Sequence, residues 1–136
     1  MSPLIAMLFF LGLLIAHLIG DWLIQTEHQA LNKDKGGYFN LALMSHCAWY
    51  TLIFVPVFWI FGVSFFWLIL IFTSHQLLDK RKVVMAFCRV VKQTSEQTLK
   101  NLFWLVVVVD QVLHFLVLCF IFFATLLPQI LLEWKM

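Results

Sequence analysis

From Pro3 to Ala16 every residue is apolar or glycine, and the same run then carries His17, Asp21 and Gln25 at intervals of four. Few folds accept that combination. A stretch this apolar belongs in a core or a bilayer, and a carboxylate there is costly without a partner. If the run is an α-helix, the four-residue spacing puts all three polar groups on one face. That face must meet something able to satisfy them.

The rest of the chain offers matching groups. Three further apolar segments carry His46, His75 with Asp79, and Asp110 with His114. The 136 residues are 63% hydrophobic and 12% charged, against roughly 45–50% and 25% in a soluble domain. The reading is an all-α membrane protein, a four-helix transmembrane bundle in a single domain over 1–136. The expected spans are about 3–25, 39–60, 63–79 and 101–132, with a basic cytoplasmic segment over 80–100. Pro3 suits a first helical turn, Pro56 a kink in the second span, and Pro128 with Glu133-Trp134-Lys135 the exit of the fourth. A cleaved signal peptide is the weaker reading of the first run, which lacks a basic start and a small-residue cleavage site.

The segment 26–38 reads as a polar loop in which His28 is solvated. Within 80–100, Lys82, Arg89, Gln93, Glu96 and Lys100 recur at helical steps, with Val83, Met85, Phe87, Val90 and Val91 on other faces. That is an amphipathic interfacial helix between the third and fourth spans, or else a cytoplasmic extension of the third. Trp59 and Trp67 flank a short uncharged turn, as in an interfacial aromatic belt. Of the nine lysines and arginines, all but Lys135 lie in the loops after spans one and three. The positive-inside rule places those loops in the cytoplasm and both termini outside it. The net charge of +2 implies no acidic partner, and no basic face with interleaved aromatics suggests nucleic acid. Cys47, Cys88 and Cys119 are unpaired in sequence and read as free thiols.

With spans alternating in direction, the polar groups share one half of the bilayer. His17 and Asp21 end span one, His46 begins span two, and His75 and Asp79 end span three. Asp110 and His114 lie about 12–18 Å into span four at 1.5 Å per residue. A single histidine in such a place is usually a packing residue; the matched set favours one cluster. Tyr50 and Gln25 share its faces. Lys80 is either a counter-charge for Asp79 or a basic flank residue, the second being favoured. Three ionised carboxylates in low dielectric demand protons or cations. Two divalent ions with a hydroxide would neutralise them, as would one ion with Lys80 or a proton. Histidine and aspartate without cysteine suit zinc, iron or manganese. The metal candidates are His17, Asp21, His46, His75, Asp79, Asp110 and His114, with Asp21, Asp79 and Asp110 sharing ligand and general-base roles. His–Asp ion pairs without metal are the alternative.

The segments 17–25, Ser45-His46-Cys47, 75–80 and 110–114 resemble those of the domain of unknown function 3307 family, small bacterial and phage-borne membrane proteins with no established activity. The resemblance covers nearly the whole chain. It implies a bacterial inner membrane and marks His17, Asp21, Gln25, His46, His75, Asp79, Lys80, Asp110, Gln111 and His114 as motif positions. It adds Gln111 to Gln25, Tyr50 and Lys80 as supporting groups, and supplies no reaction. HExxH, GxSxG, the P-loop and GxGxxG are absent.

Two functional classes follow. In one, a divalent ion activates water to hydrolyse a lipid or membrane-soluble substrate. In the other, the cluster relays protons or metal ions in a small transporter or accessory subunit. Four short spans leave little room for a path in a monomer, so that class expects a homo-oligomer. A non-catalytic interaction protein, with the cluster only holding the bundle together, is the third reading.

Overall fold

The computed structural model describes residues 2–133, and all regular structure among them is helical. The Trp134-Lys135 tail, with the basic residue assigned to the outer side, lies outside the described residues. Helix α1 spans Pro3–Leu18, α2 Glu27–Asn32, α3 Leu41–Phe61, α4 Trp67–Leu78, α5 Arg81–Val90, α6 Glu96–Asn101 and α7 Phe103–Glu133. Helices α1, α3, α4 and α7 pack in a closed ring, α1 on α3, α3 on α4, α4 on α7 and α7 on α1.

Local chemistry sets the ends. Pro3 occupies the first turn of α1, and the Ser2 hydroxyl accepts from the Ile5 N–H. Asn40 caps α3 by accepting from the N–H groups of Ala42 and Leu43 at 2.8 and 3.3 Å. Gly62, at φ 63°, closes α3, and the Val63 N–H returns to the Phe58 carbonyl at 2.9 Å.

Each ring helix turns inward a row of residues in four-residue steps. The rows are Phe9, Leu13, His17 and Asp21; His46, Tyr50, Phe54 and Phe58; Ile71, His75 and Asp79; and Asp110, His114 and Leu118. One end of every row is polar and the other apolar. The apolar ends form a core of Phe9, Leu13, Phe54, Phe58, Ile71 and Ile121, all at most 1% exposed. The outward faces carry large apolar side chains such as Met7, Leu11, Trp59 and Phe120, all more than 45% exposed.

Among the described residues three helices are long and apolar enough to cross a membrane: Pro3–Leu23, Leu41–Phe61 and Phe103–Pro128. The expected third span is helical only over the 12 residues of α4. That is about 18 Å, short of a hydrocarbon core of about 30 Å.

The structure also departs from the sequence expectations in the connections. The polar loop after span one contains α2, started by a capping box in which Thr26 and Gln29 satisfy one another's backbone N–H groups. The basic segment is two helices, α5 and α6, separated at Gln93, whose φ of 52° breaks any continuous helix. Neither lies free. Val84 and Cys88 of α5 and Leu99 of α6 bury against Val106 and Val109 of α7.

Candidate metal centre

The first helix does not run as a regular α-helix to Gln25. Ile19–Leu23 is a π-helical turn, closed by the Ile24 N–H on the Ile19 carbonyl at 3.0 Å. Such turns insert a residue into the helical ladder and re-aim the side chains around them. Here Gly20 and Asp21 face inward while Trp22 and Leu23 are exposed. Gly20 is required by the close approach of α3. A Cβ there would lie 2.7 Å from Tyr50 Cδ2 and 3.2 Å from Tyr50 Cα.

Asp21 from this turn, His46 from α3, and His75 and Asp79 from α4 and its C-terminal cap converge on one spot. All four are buried, and one ligand atom from each lies within 4.8 Å of all the others. Nε2 of His46 and Nε2 of His75 are 3.0 Å apart. Asp21 Oδ1 lies 3.4 Å from the first and 3.9 Å from the second, and Asp79 Oδ2 lies 3.5 Å from the first. The Gln25 amide also reaches His46 Nε2, at 3.0 Å. Asp79 Oδ2 is buried and accepts no hydrogen bond among the described residues. These four residues can hold a metal ion.

The remaining sequence candidates form a layer beside this set. Gln111 organises it, and Trp22 fixes Gln111. The indole N–H can only donate, and it meets Gln111 Oε1 at 2.9 Å. The amide nitrogen therefore points the other way, donating to Asp21 Oδ2 at 2.7 Å and Asp110 Oδ2 at 3.2 Å. His17 Nε2 lies 3.0 Å from the same Oε1 and must be its donor. His17 Nδ1 is then an acceptor, 2.9 Å from the Tyr50 hydroxyl. Both nitrogens of His17 are thus engaged, and it flanks the four-residue set without joining it. Tyr50 in turn stacks on His75, with centroids 3.6 Å apart and planes 4° from parallel. His114 sits over the same ring at 4.6 Å, and its Nδ1 lies 3.0 Å from the Asp110 carbonyl. Asp110 keeps 21% of its side chain exposed.

The counter-charge for Asp79 is Lys33, whose ammonium binds Asp79 Oδ1. Lys80 is not the counter-charge, and it is more than a basic flank residue. It is 5% exposed and donates to the Lys33 carbonyl at 2.8 Å, tying down the loop that delivers Lys33. The Asn40 amide holds the same loop through the Asn32 carbonyl at 2.8 Å. Loop, cap and Lys80 together aim Lys33 at the centre. His28, as expected, is exposed.

A cleft of about 330 Å³ reaches the centre from outside. Asp21, Asp79, Asp110 and Gln111 form its polar floor, and Leu78 and Val106 are among its apolar walls.

The sequence model of the family described as protein of unknown function, DUF3307, matches residues 9–135. No curated protein and no solved structure matches the chain. With the match covering all but the two ends, the chain belongs to the DUF3307 family.

Proposed function

We propose that the protein is a single-domain, four-span protein of the bacterial inner membrane whose buried His/Asp centre binds one divalent cation and hydrolyses a lipid or another membrane-soluble substrate. The observation that carries this is the meeting of two imidazole Nε2 atoms with two carboxylate oxygens among buried side chains between apolar helices, at the end of a cleft open to the outside. An unfilled centre of that kind is poorly compensated, and Asp79 Oδ2 has no donor among the described residues. With Lys33 counted, one divalent ion balances the three carboxylates, so a second is not needed. The donor set suits zinc, iron or manganese.

Bound there, the ion supplies Lewis acidity that polarises a substrate oxygen and acidifies water. The chain's own groups divide the remaining work. Asp110 lies outside the four-residue set, opens on the cleft, and is oriented by Gln111, which places it to accept the proton of an attacking water. His17, Tyr50 and His114 hold the rings in register.

For the membrane arrangement, the short α4 and the turn before it serve as the third of four spans, and α5 with α6 lies at the cytoplasmic surface with Lys82 and Arg89 outward. Both termini are then outside the cytoplasm. A periplasmic reporter fused after Met136 should be active and a cytoplasmic one inactive.

The decisive measurement is elemental analysis of protein purified in mild detergent, expected to give about one divalent ion per chain. Lipid extracts from cells expressing the wild type and Asp110→Asn should then differ in a defined species. A second reading is favoured by the chain of buried titratable imidazoles from His17 through His114 and His75 to His46, with successive ring centroids 5.6, 4.6 and 5.0 Å apart. Such a chain suits a proton relay in a homo-oligomeric transporter or accessory subunit. Identical lipid profiles beside a proton- or metal-dependent flux in liposomes would establish it instead.

A further inference from the structure

The mouth of the cleft carries a chemistry different from its floor. Arg81 lines it and is exposed. Its guanidinium lies over the Phe103 ring at 4.8 Å and makes no ion pair with any described residue. Lys33, the other cation of the cleft, is already bound to Asp79. Arg81 is also the first residue of α5, and Lys80 before it contributes no side-chain cap. The Val83 N–H is taken by the Lys80 carbonyl at 2.8 Å, and the earlier first-turn N–H groups, without a side-chain cap, favour an anion. Beside this lone cation the lining turns apolar through Val84, Phe103, Val106 and Val107. Trp22 and Phe103 border the cleft and are 60% and 54% exposed, so it opens sideways onto the outer apolar faces of the helices.

We infer that the cleft takes an amphiphile with a phosphate-class oxyanion head, its head held by Arg81 beside the His/Asp centre and its tail along the α5–α7 wall. The carboxylate floor repels such a head unless a cation intervenes, so the anion has one attractive place to sit, between Arg81 and the centre. A planar guanidinium steadied over an aromatic ring can offer two N–H groups to two oxygens of one phosphate. A head without charge leaves Arg81 unused, and a phosphate without a tail leaves the apolar wall wet. This inference depends on the proposed function only in placing the head next to a metal.

The test is binding to the full chain in mild non-ionic detergent by native mass spectrometry. The probes are a short-chain phosphatidic acid, the matching diacylglycerol and glycerol phosphate. Phosphatidic acid should bind, and the other two at least about tenfold more weakly. Arg81→Ala should weaken it about ten- to hundredfold, the usual range for a lost charge-assisted contact. Arg81→Lys should fall between, and Arg89→Ala, an exposed arginine outside the cleft lining, should bind as wild type. Equal loss in Arg89→Ala, no loss in Arg81→Ala, or diacylglycerol binding as well as phosphatidic acid would each overturn the inference. Glycerol phosphate binding equally well would overturn the amphiphile in favour of a free phosphate compound. Elemental analysis of the same wild-type preparation separates the two readings. Arg81-dependent binding in a protein without metal would remove the proposed function alone. A metal-loaded protein without Arg81 dependence would remove this inference alone.

Discussion

The same four helices build two ends that are held together differently. At one end Phe9, Phe58, Phe61 and Phe122 meet at tilted angles, with ring centroids 5.4 to 6.5 Å from Phe9. At the other, Asp21, His46, His75 and Asp79 meet through individual atoms 3.0 to 3.9 Å apart. Aromatic packing is tolerant, because contacts are numerous, weak and non-directional. The polar end is stricter, since a buried donor or acceptor that loses its partner incurs its full desolvation cost, and His46 Nδ1, His75 Nδ1, Asp79 Oδ2 and His114 Nε2 already lack one among the described residues. The bundle is therefore plastic where it is greasy and specified where it is polar.

The largest effect should come from exchanging a truncation at one end for a truncation at the other. His75→Ala removes a donor atom from the four-residue set, and protein purified in mild detergent should lose most of its bound metal. Phe58→Ala, from a fully buried position, should cost about 3 kcal/mol of unfolding stability while metal content per folded chain stays unchanged. His28→Ala should change neither. Metal content should also fall as pH is lowered, because protons compete for the same nitrogen and oxygen atoms. If Phe58→Ala loses metal as readily as His75→Ala, the two ends are one cooperative unit and the contrast fails.

Lys33 sharpens the comparison. It crosses from a loop to pair with a carboxylate that is 3% exposed, while keeping 18% of its own side chain exposed. Lys33→Met strands Asp79. In chelator the variant should lose about 2–3 kcal/mol, below the full value for a buried pair because Lys33 is partly solvated. With a divalent ion present the loss should shrink, since the ion takes over compensation of Asp79. Equal losses with and without metal would detach Asp79 from the ion site.

Gly20→Ala tests the geometry that delivers Asp21. The new methyl would press on the Tyr50 backbone as well as its ring, and overpacking of that kind costs about 1–3 kcal/mol. Gly12, nearer the apolar end, is the matched control. A Cβ there meets Val57 Cγ1 at 3.1 Å, a side-chain methyl able to give way. Gly20→Ala should lower both stability and metal content, and Gly12→Ala should lower neither by much. Metal retained in Gly20→Ala would mean that the π-helical turn is not what aims Asp21.

How far the sequence could be read follows the same division. Polar residues in apolar runs stand out one by one, so His17, Asp21, His46, His75, Asp79, Asp110 and His114 were all visible as one neighbourhood. Their division into an inner four and a flanking layer was not. It depends on the π-helical turn, whereas four-residue spacing assumes a regular α-helix through Gln25. Lys33 was hidden because it sits in a polar loop, where a lysine is unremarkable by composition. The Thr26-x-x-Gln29 capping box was a usable sign that this loop is built rather than slack. Lys80 stood out as a supporting group, but its partner was not legible beside Arg81 and Lys82: it is buried on the Lys33 carbonyl and does not pair with Asp79. The continuous helix expected over 80–100 failed at Gln93, where a residue other than glycine takes a positive φ that periodicity does not reveal.

The smallest expected effect isolates a single hydrogen bond. Tyr50 belongs to both ends: its ring packs on Phe54 at 5.1 Å and on His75 at 3.6 Å, and its hydroxyl reaches His17 Nδ1 at 2.9 Å. Tyr50→Phe keeps both ring contacts and deletes only the hydroxyl. His17 Nδ1 then loses its donor inside a buried layer, at a cost of about 1 kcal/mol. Its Nε2 stays on Gln111, so ring and tautomer should persist and metal content should not change. Tyr50→Leu removes the stack as well, frees the His75 ring to tilt, and should lower metal affinity where Tyr50→Phe does not. If Tyr50→Phe instead costs nothing measurable by thermal unfolding, the polar end tolerates a missing partner as easily as the aromatic end tolerates a shifted ring. The specificity attributed to its pairwise bonds would then have to come from the ion alone.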